Sequence, residues 1–583
     1  MSRRIRIAVW ATCMLAAHST LAAPSATAPP ANGPVIDFYD SGIVEYSAVF
    51  HPVIAREAMV ATQNDLASHI GLEVLERGGN AVDAAVAVGF ALAVVLPRAG
   101  NLGGGGFMVL HMPEDKLTTS FDYRETAPSN VKAQDFLGPD GKITEAAKVS
   151  WPAAAVPGTV AGLHLAWSRY GSRPWAELVQ PAIRLAERGF PISYDFAGLL
   201  ELKKSWLQED DAVKRAYYRT DGTGYRAGEI LRQPDLARTL RRIARSGPQD
   251  FYKGETARRI VADMQQFGGG ITAEDLASYR AIERQPISGE YRGYRIVGMA
   301  PPSSGGIGVI QTLNVLEQFP VADWGASSAK ALHVLAEASR YVSADRGRFL
   351  ADADFVPVPT ERLISRQHAE EIAARISPTK AGSGAEIRSF VGSGLDSPST
   401  THYSIVDKHR NVVSNTYTLG FSFGNGHMIR GTGVLLNNST TTFSMSTAPG
   451  RSPRPNDLQA GKRALSTQAP TLVFKDEKPY LVTGSPGGAR IISAVAQVID
   501  NVLTHHMNIA EASAERRVHA DLDRDVLMLE PGFNRDTAAA LQGLGHRIEW
   551  AYAFGSTQSI MIQGDYLYGA SDPRRPDALS AGK

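Results

Sequence analysis

The sequence predicts a layered α/β or α+β protein built around a large core. Three observations carry that reading. Helical and strand patterns alternate along the whole chain, with no internal repeat and no long low-complexity segment. The 583 residues are 43% hydrophobic and 20% charged, which suits an ordinary core and opposes wholesale disorder. From about residue 400 the pattern turns from helical to strand-like. The charge balance, 60 Lys+Arg against 59 Asp+Glu, supplies no basic face for nucleic acid. Cys13 is the only cysteine, so a disulfide framework, a cysteine zinc site and a cysteine nucleophile are excluded once the leader is removed.

The elements follow in order. Arg3, Arg4 and Arg6 precede the short apolar run Ile7–Ala17, and small residues end at Leu21-Ala22-Ala23. That is the pattern of a secretory signal over residues 1–23. Trp10-Ala11-Thr12 before Cys13 does not fit a lipoprotein signal. Residues 24–34, rich in Pro, Ala and Ser, read as a flexible lead-in. Asn80 and Asp83 mark the start of a helix that is apolar nearly all round and stops at Pro97, so it is expected at the centre of the core. The glycines Gly103 to Gly106 suggest a tight turn into the strand Phe107–Met112; no Lys-Ser/Thr follows to make a phosphate cradle. Residues 160–280 read as an outer helical layer, including Trp175–Arg188 and Gln233–Ser246. Thr401–Val406 and Val412–Leu419 form an expected hairpin, Thr471–Phe474 and Pro479–Thr483 another, and a helix follows over Arg490–Leu503. The polar stretch Asp572–Lys583 is expected to fray.

Six strings then bring a resemblance into view. They are Gly78-Gly79-Asn80-Ala81-Val82-Asp83-Ala84-Ala85, Gly100–Phe107, Asp122-Tyr123-Arg124-Glu125-Thr126-Ala127-Pro128, Thr400–Ser404, Leu436-Asn437-Asn438 and Gly484-Ser485-Pro486-Gly487-Gly488. In this order and over almost the whole chain, they resemble the gamma-glutamyltransferase (glutathione hydrolase) family of N-terminal nucleophile hydrolases.

The resemblance implies an α+β fold, a four-layer αββα sandwich, and an inactive precursor that cuts itself between Ser399 and Thr400. Residues 35–399 would form the large subunit and 400–583 the small one, interleaved as one unit. Freed Thr400 would be the nucleophile, with its own α-amine as the base. Thr418 matches the threonine that orients it. Gly487 and Gly488 match the oxyanion-hole glycines, Arg124 the clamp on the donor α-carboxylate, and Ser466 and Thr467 a paired-serine position on that carboxylate. No cofactor or metal is implied. The substrate would be glutathione or another γ-glutamyl amide, the acceptor water or an amine. Secretion would place the enzyme in the periplasm if the source is a Gram-negative bacterium.

The chain departs from the family around the donor α-ammonium. Gly420 stands where an Asn is usual, and Ser439 and Thr442 occupy the expected polar and acidic positions, so the usual carboxylate is absent. Glu125 and Asp457 are acids that sequence alone does not place. The stretch from Phe443 to Ser466 is short and carries Arg451, Arg454, Lys462 and Arg463, which suggests an open cleft admitting bulkier donors or acceptors. A glutaryl-type donor, with a carboxylate but no amine, is therefore an alternative, as in the cephalosporin-acylase relatives. A secreted binding protein without turnover is the rival from another class. A metal hydrolase finds no His-Glu-x-x-His string, and Gly484–Gly488 is not a Gly-x-Ser-x-Gly elbow.

Overall fold

A computed structural model describes residues 49–387, 399–447 and 450–583. The signal, the lead-in and the turn-rich stretch before Pro398 lie outside these residues. Two seven-stranded antiparallel sheets form the centre. In the first, the strand order is Val53–Ala55, Tyr566–Ser571, Gln558–Gln563, Lys478–Thr483, Thr471–Lys475, Tyr294–Gly298, Ile287–Tyr291. In the second it is Leu579–Gly582, Met59–Thr62, Ser399–Val406, Val412–Gly420, Gly105–Met112, Leu117–Tyr123, Ile282–Arg284.

Strand alternation sends every second side chain to the facing sheet. Phe107, Val109, Val406 and Val412 pack there against Val297, Leu472, Phe474, Val482 and Ile560. The intervening residues, among them Met108, Leu110, Tyr403, Ile405 and Tyr417, face the helix Ala81–Val95 and the helical layer around it. That helix is buried along its whole length and starts with a capping box of Asn80 and Asp83. The hydroxyls of Tyr403 and Tyr417 donate to its carbonyls at Ala85 and Gly89, 3.0 and 2.9 Å, and so fix the helix to the strands below. The outer face of the first sheet packs on the helices Gly305–Leu316 and Ile491–Leu503. The result is the four-layer αββα sandwich.

Most expected elements are present within a residue or two, including both hairpins and the helices Trp175–Arg188 and Pro234–Ser246. The chain end is a correction. Leu579–Gly582 is a sheet strand paired with Met59–Thr62, and the Lys583 carbonyl accepts from Arg56 and Glu57 N–H at 2.8 and 2.7 Å. Backbone pairing secures this segment, and backbone pairing leaves no mark on side-chain composition.

Candidate active site at the start of the Thr400 strand

The site begins with an irregularity in strand pairing. Ser399 lies opposite Gly420 and Thr401 opposite Tyr417, so Thr418 and Leu419 together face the single residue Thr400. This bulge turns the Thr418 side chain onto its neighbour across the ladder. Thr418 Oγ1 donates to the Ser399 carbonyl at 2.5 Å and accepts from Thr400 Oγ1 at 3.3 Å and from the Gly420 N–H at 2.9 Å. One hydroxyl therefore touches the candidate nucleophile and the carbonyl it would attack. The Ser399 side chain is held as well, accepting from Ser422 Oγ at 2.9 Å.

A small cavity of about 20 Å³ adjoins this pair, with room for about one water. Its walls include Arg124, Thr442, Ser466, Thr467, Gln468 and Gly488, besides Thr400, Thr418 and Gly420. Among the described residues, this small cavity, and not the open cleft expected from the short, basic 443–466 stretch, adjoins Thr400. Three of the four basic residues there are engaged locally: Arg451 pairs with Asp457, Lys462 donates to the Asp457 carbonyl, and Arg463 reaches Asp122 and Asp354.

Arg124 is buried at the cavity wall. Its Nε donates to the Ala464 carbonyl at 3.1 Å and its Nη1 to Glu125 Oε2 at 2.8 Å. Asp122 fixes its backbone, accepting from the Arg124 N–H at 3.0 Å, while the second Asp122 oxygen holds Arg284 at 2.8 Å. Thr467 Oγ1 donates to the Gly488 carbonyl at 2.8 Å, which ties the paired-hydroxyl segment to the glycine turn. Gly487 and Gly488 have φ of 141° and 61°, and they open the turn that leads into the helix Ile491–Leu503. Gly488 lines the cavity; Gly487 lies against Gly555 instead.

The departures from the family pattern also have places. Thr442 is in the cavity wall, its Oγ1 donating to the Ser439 carbonyl at 2.7 Å. Ser439 Oγ turns away to Glu125 Oε1 at 2.8 Å. A side chain at Gly420 would be strained here: its φ is +92°, and a Cβ would stand 1.9 Å from Asn438 Oδ1, so Asn438 would have to shift. Asn437 is structural, bonding Gly103 and Ala155 carbonyls at 2.8 and 2.7 Å. Asp457 accepts from Arg451 and from the Arg454 N–H, and is not among the cavity walls.

Sequence reasoning did not single out Ser422 or Gln468. Ser422 offers no signal beyond its short distance in sequence from Thr418. Gln468 directly follows Ser466-Thr467, and that adjacency could have marked it. Away from the site, His333, Glu337 and His546 bring one potential ligand atom each within 4.8 Å of one another. Other contacts account for that cluster. The two histidines share a 2.7 Å hydrogen bond, His333 also bonds the Ser377 carbonyl, and Arg340 already stands 3.6 Å from the Glu337 carboxylate.

With this geometry in hand, comparison with known proteins is decisive. The gamma-glutamyltranspeptidase family model matches residues 67–582. The chain belongs to that family. It is 44% identical over 568 residues to the glutathione hydrolase proenzyme of Escherichia coli (strain K12), covering 96% of each chain. Among solved structures, it superposes on cephalosporin acylase from Bacillus halodurans with a TM-score of 0.82 at 27% identity, covering 94% of this chain and 99% of that one. On Helicobacter pylori gamma-glutamyltranspeptidase the TM-score is 0.54 at 41% identity, covering 58% of this chain and 95% of that one. The family is one of enzymes, and its members include proenzymes. No helix among the described residues is long and apolar enough to cross a membrane.

Proposed function

We propose that the chain is the precursor of a secreted enzyme that cuts itself before Thr400 and then carries γ-glutamyl groups on that residue. The donor is glutathione or a related γ-glutamyl amide, and the acceptor is water or the amine of an amino acid or peptide. One observation carries this reading: Thr418 Oγ1 donates to the Ser399 carbonyl at 2.5 Å while accepting from Thr400 Oγ1.

That arrangement suits self-cleavage. The Thr418 bond draws charge onto the carbonyl oxygen as Thr400 Oγ1 adds to the carbon. The Ser399–Thr400 C–N bond then breaks, and the hydroxyl proton ends on the departing nitrogen. Water opens the resulting ester, leaving a carboxylate on Ser399 and a free α-amine on Thr400. An α-amine has a pKa near ~7.7–8.0, so it can take the Thr400 hydroxyl proton in each later turnover. Backbone N–H groups at Gly487 and Gly488 would meet the developing oxyanion, and Arg124 with Ser466 and Thr467 the donor carboxylate. The Arg3–Ala23 pattern supports export, and the mature chain then needs no cysteine.

Electrophoresis and mass spectrometry of purified protein provide the test. The expected result is two fragments meeting at Ser399/Thr400, reduced to one chain in Thr400→Ala, with hydrolysis of a γ-glutamyl anilide by the cut form alone. A wild type that stays whole yet turns over the anilide would sink the proposal.

A second reading has one observation in its favour. Among the described residues, none lining the Thr400 cavity bears a carboxylate, which would suit a glutaryl donor that has no ammonium. The two donors separate by direct comparison of their anilides.

A further inference from the structure

One wall of the Thr400 cavity differs from the rest. Gln468 is 2% exposed, and neither its Oε1 nor its Nε2 has a hydrogen-bond partner among the described residues. The hydroxyls of Thr400, Thr418, Thr442 and Thr467 and two arms of Arg124 all have protein partners. The Gln468 backbone is also engaged. Its N–H donates to Ser466 Oγ at 3.2 Å, and its carbonyl accepts from Ser303 Oγ. A Cβ at Gly305 would stand 2.2 Å from that carbonyl oxygen, so a glycine at the start of the helix Gly305–Leu316 permits the close approach. The side-chain amide is thus held at the wall by its backbone, with no bonds of its own.

A buried amide without a partner costs free energy, and such a group in a folded protein calls for a ligand or a water to meet it. The size of the cavity separates the two. About 20 Å³ accommodates one water and nothing as large as an amino acid. A buried water takes two to four polar partners. An amide offers both kinds, Oε1 as acceptor and Nε2 as donor. It does not titrate near neutral pH, so it can orient a water but cannot take its proton. On the proposed reading that proton already has a destination, the freed α-amine of Thr400.

We infer that Gln468 is a positioning residue for the water that opens the ester on Thr400, both in maturation and in each turnover, and that it thereby favours hydrolysis over transfer to an amine. The inference rests on the proposed role of Thr400 in self-cleavage and acyl transfer. In either ester the water oxygen adds to the carbonyl carbon as the Thr400 amine takes one proton. The bond from that carbon to Thr400 Oγ1 then breaks, and Oγ1 takes the proton from the amine. The products are a carboxylic acid and the free hydroxyl. An amine acceptor adds to the same carbon but is too large for a space of one water, so other contacts must place it.

The test compares wild type with Gln468→Met, which keeps the side-chain length and removes the amide. Self-cut protein is given γ-glutamyl p-nitroanilide and glycylglycine, and the glutamate and γ-glutamyl-glycylglycine formed are measured. The ratio of transfer to hydrolysis is expected to rise about tenfold in the variant, the scale of one hydrogen bond lost from the attacking water. Hydroxylamine, a stronger nucleophile than water, gives a second readout. The Gln468→Met precursor should mature slowly, and hydroxylamine should restore its rate and leave a hydroxamate on Ser399, read by mass spectrometry. A merely structural role would slow maturation without changing the ratio or responding to hydroxylamine. A wild type that neither cuts nor forms either product overturns the underlying reading and this inference with it. A wild type that does both, with Gln468→Met lowering the two products in parallel or raising only KM for the anilide, overturns the inference alone. Should Gln468→Met fail to fold, Gln468→Asn, which withdraws the amide by one methylene, decides: a ratio unchanged from wild type overturns the inference.

Discussion

Two cross-strand pairs stand side by side on the same two strands. Thr400 meets Thr418 at 3.3 Å, and two residues on, His402 Nδ1 meets Thr416 Oγ1 at 2.8 Å. All four side chains are buried and all are polar. The second pair contains a histidine, the residue type most often found as a general base. Yet His402 is enclosed on every side: its Nε2 bonds Ser404 Oγ at 3.1 Å, and a Cβ at Gly484 would stand 2.3 Å from the ring. Burial pushes its pKa down to about 3, so it is neutral and has no route to a substrate. The threonine pair lies where the ladder slips, against the Ser399 carbonyl and the cavity. On the proposed reading, location on the strand and not residue type sets the reactive pair apart.

Removing the proposed nucleophile gives the largest expected effect. Thr400→Ala should leave the chain whole and reduce anilide turnover by more than about 10⁴-fold, read by electrophoresis and initial rates. His402→Gln should still cut and retain turnover within about tenfold. Equal losses in the two variants would erase the distinction between the pairs. Thr418→Ala comes next. Losing the donor to the Ser399 carbonyl should slow self-cleavage by about 10²–10³, as measured by the fraction cut over time, whereas Thr418→Ser should recover most of the rate. A Thr418→Ala chain maturing at the wild-type rate would mean that its hydroxyl is a bystander.

Much of this was legible in the sequence, for identifiable reasons. The buried helix Ala81–Val95 could be read from its cap and its unbroken apolar run, and the hairpin at Thr400 from period-two alternation. Thr400 and Arg124 were singled out because each sits within a long string, and Thr418 by its place on the neighbouring strand. The bulge at Thr418 was not, since register depends on the partner strand. Glu125 was visible as a residue but not by its contacts: the one with Ser439 spans 314 positions. The final strand Leu579–Gly582 was misread because its ladder to Met59–Thr62 is made by backbone groups. Gly420 was read only as a lost contact, whereas in this structure it also suits a φ of +92° with Asn438 filling the space a side chain would take.

Arg124→Lys tests the head-group side of the cavity with a smaller effect. Lysine keeps the charge but not the planar fork that serves Ala464 and Glu125 and, on the proposed reading, the donor. KM for the γ-glutamyl anilide should rise about tenfold or more, with kcat and self-cleavage affected far less. A matching fall in kcat and in the rate of maturation would mean that Arg124 supports the Thr400 region as a whole.

The smallest effect concerns stability and tests the sealed side of the comparison. His402 stays neutral in the fold down to about pH 3, while in the unfolded chain it takes up a proton near its ordinary 6.5. Between those values the unfolded state binds more protons, so stability is complete above about pH 6.5 and falls as acid is added, by about 1.4 kcal/mol per pH unit for one such group. His546, lowered to about 3, and His111 and His519, lowered to about 4, act in the same direction, with burial as the main cause in each. Urea unfolding of uncut Thr400→Ala protein at several pH values between 4.5 and 6.5 should reveal this slope. Adding His402→Gln should reduce it by close to one proton's worth, even if the double variant is less stable overall. An identical slope in the two proteins would mean that His402 is protonated in the fold, and that the pair beside Thr400 is less sealed than its contacts indicate.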